Sequence, residues 1–160
     1  MNLFKKNDLV EIAVQLEDKG FKFYDAAANK PNISEKVKNI LIHLRDEESK
    51  HRATFLELRN KIDLFDLKET KGWDEAVMYM NVVLDSHIFS GDDASIKLVA
   101  ASKDEKEILK NAVSFEKDTL LMFHSFKKFV TDKKSAEAIQ EIINEEYKHV
   151  EKLSQILKSL

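Results

Sequence analysis

Near its end the chain reads Asn144-Glu145-Glu146-Tyr147-Lys148-His149, and the same frame stands earlier at Asp46-Glu47-Glu48-Ser49-Lys50-His51. Each copy contains Glu-x-x-His, a spacing that puts both side chains on one helix face, one turn apart. A second likeness precedes each copy: Ala13-Val14-Gln15-Leu16-Glu17 resembles Ala112-Val113-Ser114-Phe115-Glu116. Glu17 stands 31 residues before Glu48, and Glu116 stands 30 before Glu146. Self-similarity at this scale predicts two related helical hairpins. Each would offer a lone Glu on its first helix and Glu-x-x-His on its second.

The face these groups occupy decides their meaning. Residues three, four and seven apart share a helix face. Around Glu17 these are Val10, Ala13, Val14, Gly20, Phe21 and Tyr24; around Glu116 they include Leu109, Ala112, Val113, Leu120 and Phe123. Glu146 has Ile139, Ile142, Ile143, Val150 and Leu153, whereas Glu48 has Leu41, Leu44 and Phe55 but also Arg45 and Arg52. Glu107, beside Lys103, Asp104, Lys110 and Asn111, shows what a solvated face looks like. Four glutamates therefore lie in the apolar stripes expected to form a core. Buried carboxylates facing one another cost several kcal/mol each, about as much as any single feature of a fold, unless cations sit among them. Two divalent ions would neutralise four carboxylates, and His51 and His149 can ligate through neutral imidazole. A ligand set of this kind in a helical bundle is a known di-iron or di-manganese arrangement. With 16 Glu and 5 His in 160 residues, chance supplies roughly half a Glu-x-x-His match. Here there are two, each preceded by an inward Glu.

Composition agrees with a helical domain. Three Gly and one Pro are too few for the turns of an all-β fold. No Cys means no disulfide, cysteine-held cluster or thiol nucleophile in this sequence. A net charge of −3 with both signs interspersed does not suit nucleic acid or an anionic membrane. No apolar run is long enough to cross a bilayer, and a cytoplasmic protein is expected. Residues 1–160 are expected to form one domain, with hairpins at about 7–61 and 103–160 joined by a crossover at 62–102. The first helix should run from Leu9 to Ala28, before Pro31. Asn32 with Glu35, and Ser102 with Glu105, have the spacing of capping boxes opening the second and third long helices. Thr131 and Asp132 mark a break before the last. The crossover is expected to hold one short helix, residues 73–89. The predicted fold class is all-α: an antiparallel four-helix bundle with a long crossover and a short extra helix.

These residues resemble the rubrerythrin-like branch of the ferritin superfamily over most of the chain. The likeness rests on Leu16-Glu17 with Phe23-Tyr24 seven residues on, Glu48-x-x-His51, and the echo in Glu116, Phe123 and Glu146-x-x-His149. It implies a ferritin-like bundle around two iron ions, often in dimers. Glu48 and Glu146 would bridge the ions, Glu17 and Glu116 would be terminal ligands, and His51 and His149 would each bind one ion. Rubrerythrins also carry a cysteine-ligated iron domain, for which this sequence has no cysteine. They carry an additional Glu at the position of Thr119, so their peroxide-linked iron movement is not implied here. The 68-residue interval from Glu48 to Glu116 makes a hairpin-swapped homodimer conceivable.

Oxygen and nitrogen ligands suit iron or manganese, and zinc could occupy the same site. The function expected first is reduction of hydrogen peroxide or dioxygen with electrons from an external donor protein. A ferroxidase of bacterioferritin type and a metal-binding bundle without turnover are the alternatives. Tyr24 reads equally as a hydrogen-bond partner of a ligand carboxylate or as an ordinary core tyrosine, and Thr119 joins it as a candidate to touch a ligand. Gly20 is costly in mid-helix and suggests close packing or room near the metals. His43, His87 and His124 lack a Glu-x-x-His partner and read as surface or packing residues. Trp73 reads as a packing anchor.

Overall fold

A computed structural model describes residues 6–59, 71–85, 91 and 93–160. Four long helices carry the molecule: α1 (Lys6–Ala28), α2 (Glu35–Leu58), α5 (Glu105–Lys127) and α6 (Lys133–Ser159), with α3 (Trp73–Leu84) and α4 (Ala94–Ala101) between the pairs. α1 packs along α2 and α5 along α6; α1 also touches α5, and α2 touches α6, which closes the bundle. No described helix is long and apolar enough to cross a membrane.

The helix ends show where local chemistry and expectation part. Pro31 does end the first helix, but Asn32 does not cap the second. It takes the corner itself at φ 63°, a left-handed conformation that Asn tolerates better than most residues. Ser34 precedes α2 instead, and its N–H donates to Glu105 Oε2 of α5 at 2.8 Å. Glu105 is thus committed across the bundle, and the box expected with Ser102 forms two residues later. Asp104 accepts from the Glu107 N–H at 2.8 Å, while Glu107 accepts from the Lys103 N–H at 2.6 Å. Ser102 ends α4, its hydroxyl donating to Leu98 O at 2.8 Å. At the expected break Asp132 caps α6, accepting from both the N–H and the hydroxyl of Ser135.

The crossover differs most from expectation. α3 stops at Leu84, and a second helix, α4, lies against α1. Residues 86–90 and 92, with His87, are outside the described residues. At eight residues α4 is too short to show a helical period, so nothing in its sequence announced it. Lys30 secures it: Nζ donates to Val99 O at 2.7 Å and to Ser102 O at 2.6 Å, placing a cation at the negative end of the helix dipole. Trp73 is the anchor expected, buried edge-on against Phe129 at 4.9 Å.

The interior has two apolar clusters. One gathers Leu9, Leu16, Phe55, Phe123, Phe126 and Ile142; the other gathers Phe23, Leu41, Leu44, Ile108, Leu109 and Leu153. Burying a large side chain of this kind contributes about 1.5–3 kcal/mol. Between the clusters, along each long helix, lies one of the four inward glutamates. Lys30→Met should lower the unfolding free energy by about 1–2 kcal/mol, the worth of a charged cap with its hydrogen bonds. Chemical denaturation checks the size, and faster amide exchange confined to α4 checks the location.

Candidate metal centre

Glu17 comes from α1, Glu48 and His51 from α2, Glu116 from α5, and Glu146 and His149 from α6. All four glutamates are 0% exposed, and the histidines are 2% and 3% exposed. Potential ligand atoms of Glu17, Glu48, His51 and Glu146 lie within 4.8 Å of one another, and so do those of Glu48, Glu116, Glu146 and His149. Glu48 and Glu146 belong to both groups, the place a bridging residue would hold. The two imidazole rings stack with centroids 5.7 Å apart. One chain brings all six expected residues together.

The surrounding contacts aim these atoms inward. Tyr24, fully buried, donates its hydroxyl to Glu116 Oε1. On the far side of His51, Nε2 meets Glu145 Oε2 at 2.7 Å, leaving Nδ1 facing the carboxylates, 2.8 Å from Glu146 Oε1 and 3.6 Å from Glu17 Oε2. His149 also turns Nδ1 inward, 2.8 Å from Glu146 Oε2. Arg45, on Glu48's helix face, turns instead to Asp46 at 2.9 Å and Asp25 at 3.2 Å. Gly20 makes room: a Cβ there would collide with the Glu48 carboxylate and stand 3.0 Å from the Phe115 ring. Close packing and space near the site are one and the same requirement at this position.

His43 is exposed, and His124 is half-buried against the Tyr147 hydroxyl at 2.8 Å. Both stand apart from the six, as expected. Glu145 was missed by reasoning from sequence. The signal available was its place in the repeat, where it matches Glu47 directly before a site glutamate.

Burial dominates the electrostatics. It pushes the Glu48 and Glu116 carboxyls well above the ordinary range, helped by the other carboxylates. Burial also raises Glu17, although His51 opposes it. Glu146 moves the other way, because its contacts with His149 and His51 outweigh its own burial. His51 is pushed up to about 12: burial works against its charge, and Glu146 and Glu17 overcome it. Burial and the charge of Glu116 keep the Tyr24 hydroxyl protonated, hence a donor.

Six of the eight carboxylate oxygens make no well-formed hydrogen bond among the described residues: both of Glu17, both of Glu48, Oε2 of Glu116 and Oε1 of Glu146, the last although it stands 2.8 Å from His51 Nδ1. An unsatisfied buried polar group costs about 1–3 kcal/mol, more when charged. Carboxylate oxygens and imidazole nitrogens around one small volume are a donor set that divalent first-row metals satisfy. The residues fit a pair of such ions.

No family model matches the chain, nor does any curated protein. Its structure is similar to a crystal structure from Thermotoga maritima described as a proposed ferritin-like diiron-carboxylate protein, with TM-score 0.71 and 21% identity over 97% of this chain and 95% of that one. The fold is therefore the ferritin-like one.

The shifts dictate how the metal-free protein responds to pH. Glu48 and Glu116, raised above 4.5, contribute stability that is complete below that value and lost as pH rises through their folded values. His51 behaves alike, complete below 6.5 and lost as pH rises toward about 12. Glu146, lowered, adds stability above 4.5 that disappears only in stronger acid. The melting temperature without metal should therefore fall steadily between about pH 5 and about pH 9. Calorimetry across that range checks the sign.

Proposed function

We propose that the chain is a di-iron oxidoreductase that reduces hydrogen peroxide or dioxygen with electrons from an external donor. The carrying observation is the set of partnerless carboxylate oxygens, held with two inward imidazole nitrogens in a dry interior. The similar protein from Thermotoga maritima is described as diiron-carboxylate, which favours iron over manganese or zinc. Glu17, Glu48 and His51 would hold one ion, Glu116, Glu146 and His149 the other, with Glu48 and Glu146 shared. Bound iron would supply reversible one-electron storage at each ion.

The rest is work for the protein's own side chains. Tyr24 keeps its proton and commits Glu116 Oε1 as acceptor, so that Oε2 is the oxygen free to ligate. Glu145 accepts from His51 Nε2 and so turns Nδ1 inward; a carboxylate behind a ligand histidine also raises its basicity. Where His51 Nδ1 now meets Glu146 Oε1 at 2.8 Å, a proton must leave for both to ligate, so metal uptake releases protons. The apolar clusters at either side exclude water, which strengthens every charge interaction inside. No cysteine is available in these 160 residues to hold an electron-carrying cluster. Electrons would arrive from a separate donor protein, and a homodimer is part of the same proposal.

Anaerobic ferrous loading should give two irons per chain by metal analysis. Rapid mixing with peroxide or dioxygen should then oxidise both within one exposure. No oxidation by either overturns the activity, and oxidation of many ferrous ions per chain turns the reading to a ferroxidase. Gly20→Ala provides a structural control. It removes the glycine penalty of about 1 kcal/mol in mid-helix yet displaces Glu48. The variant should fold as stably as the parent but bind less iron, by melting curve and metal analysis together.

A further inference from the structure

The two seams beside the carboxylates are unlike. The α2–α6 seam carries both imidazoles, stacked at 5.7 Å, with Glu145 outside them. Apart from the Tyr24 hydroxyl on Glu116, the α1–α5 seam carries small or apolar groups. Gly20, three residues after Glu17, would meet the Phe115 ring of α5 if it had a Cβ. The Phe23 and Phe115 rings stack along the same seam at 6.3 Å. Thr119, three residues after Glu116, is the repeat's counterpart of Gly20 and lies on the buried face of α5.

Thr119 is 1% exposed, and its Oγ1 has no hydrogen-bond partner among the described residues. That is unusual for a helical threonine, which ordinarily donates to the carbonyl one turn back. Thr54 does so, to Lys50 O at 3.2 Å, and Ser102 does so, to Leu98 O at 2.8 Å. A valine would fill the same space without an unsatisfied hydroxyl. Tyr24, the other hydroxyl near Glu116, is already committed to it. One turn beyond Thr119, a small apolar cavity of about 10 Å³ lies between α1, α3 and α5, with Ala13, Leu16, Met80, Met122 and Phe123 among its walls. None of the four carboxylates lines it, and with both histidines on the α2–α6 seam the α1–α5 side is the one left for an exchangeable ligand.

We propose that the Thr119 hydroxyl is the hydrogen-bond donor for a small oxygen-containing or anionic molecule received on the α1–α5 side of the four carboxylates. Thr119 is then a positioning residue for the exchangeable ligand, neither a metal ligand nor a packing residue. This rests on the di-iron reading, and the experiment separates the two.

Azide serves as the probe, titrated into the iron-loaded, oxidised protein and followed by its charge-transfer band. Parent, Thr119→Val and Thr119→Ser are compared, with metal analysis and the metal-free melting temperature measured for each. The valine variant should bind iron as the parent does and melt at the same or a higher temperature. Its azide dissociation constant should rise about tenfold, the worth of one hydrogen bond to a charged acceptor, and serine should restore it. Azide affinity within twofold of the parent overturns the proposal, as does absence of an azide band in the iron-loaded parent. A metal-free valine variant that melts several degrees lower would give the hydroxyl a structural partner and overturn it too. A parent chain that takes up no iron overturns the di-iron reading together with this one, whereas normal iron uptake with an indifferent Thr119 overturns this one alone.

Discussion

Mutual repulsion among four carboxylates in a water-excluded space is the constraint around which the protein is arranged. Glu17, Glu48, Glu116 and Glu146 are each fully buried, and desolvation heads the causes acting on every one of them. Such a cluster is tolerable only where the apolar material around it is generous and the helices bearing it cannot splay. The two apolar clusters meet that need. They grip all four long helices above and below the charged layer, so separating the carboxylates would mean opening both. Stability is thus held at the ends of the bundle, and chemistry is confined to its middle, where stability is given up.

Repetition of the hairpin makes the middle nearly symmetric, and the departures from symmetry are informative. Glu48 and Glu146 are equivalent by sequence, yet Glu48 is pushed up while Glu146 is pushed down. The difference follows from imidazoles: both His51 and His149 bear on Glu146 at 2.8 Å. Glu17 and Glu116 differ as well. Glu116 has the Tyr24 hydroxyl, whereas neither oxygen of Glu17 has a hydrogen-bond partner among the described residues. Two ions held here would meet different fields, even though their nominal donor sets match.

How much of this could be read from the sequence depends on the range of each interaction. Helical periodicity is local, and the apolar neighbours of Glu17, Glu116 and Glu146 sufficed to place those carboxylates inward. The convergence of six groups was legible because the hairpin occurs twice. Caps were legible only in kind. Asn32, Ser34, Ser102 and Asp104 are all competent capping residues, and the choice between neighbours was made by distant events: Glu105 reaching Ser34, and Ser102 being used to end α4. The Tyr24–Glu116 and His51–Glu145 contacts join residues 92 and 94 positions apart. No local pattern encodes such a pair, so Tyr24 stayed ambiguous and Glu145 went unnoticed.

The crossover was the part read least well, and the error did not reach the site. α3 and α4 supply none of the six converging groups; they lie on the outside of α5 and α1. α4 is held by Lys30 and by packing of Val99 into one apolar cluster, while α3 buries Trp73 and Met80 in the other. Both therefore act on the seam between α1 and α5 from outside, where Gly20 and Thr119 keep side-chain volume low. A segment that braces this seam thus lies beside the carboxylates without supplying any of the six groups. That separation lets the ligand-bearing helices obey a strict repeat while the connection between them obeys none.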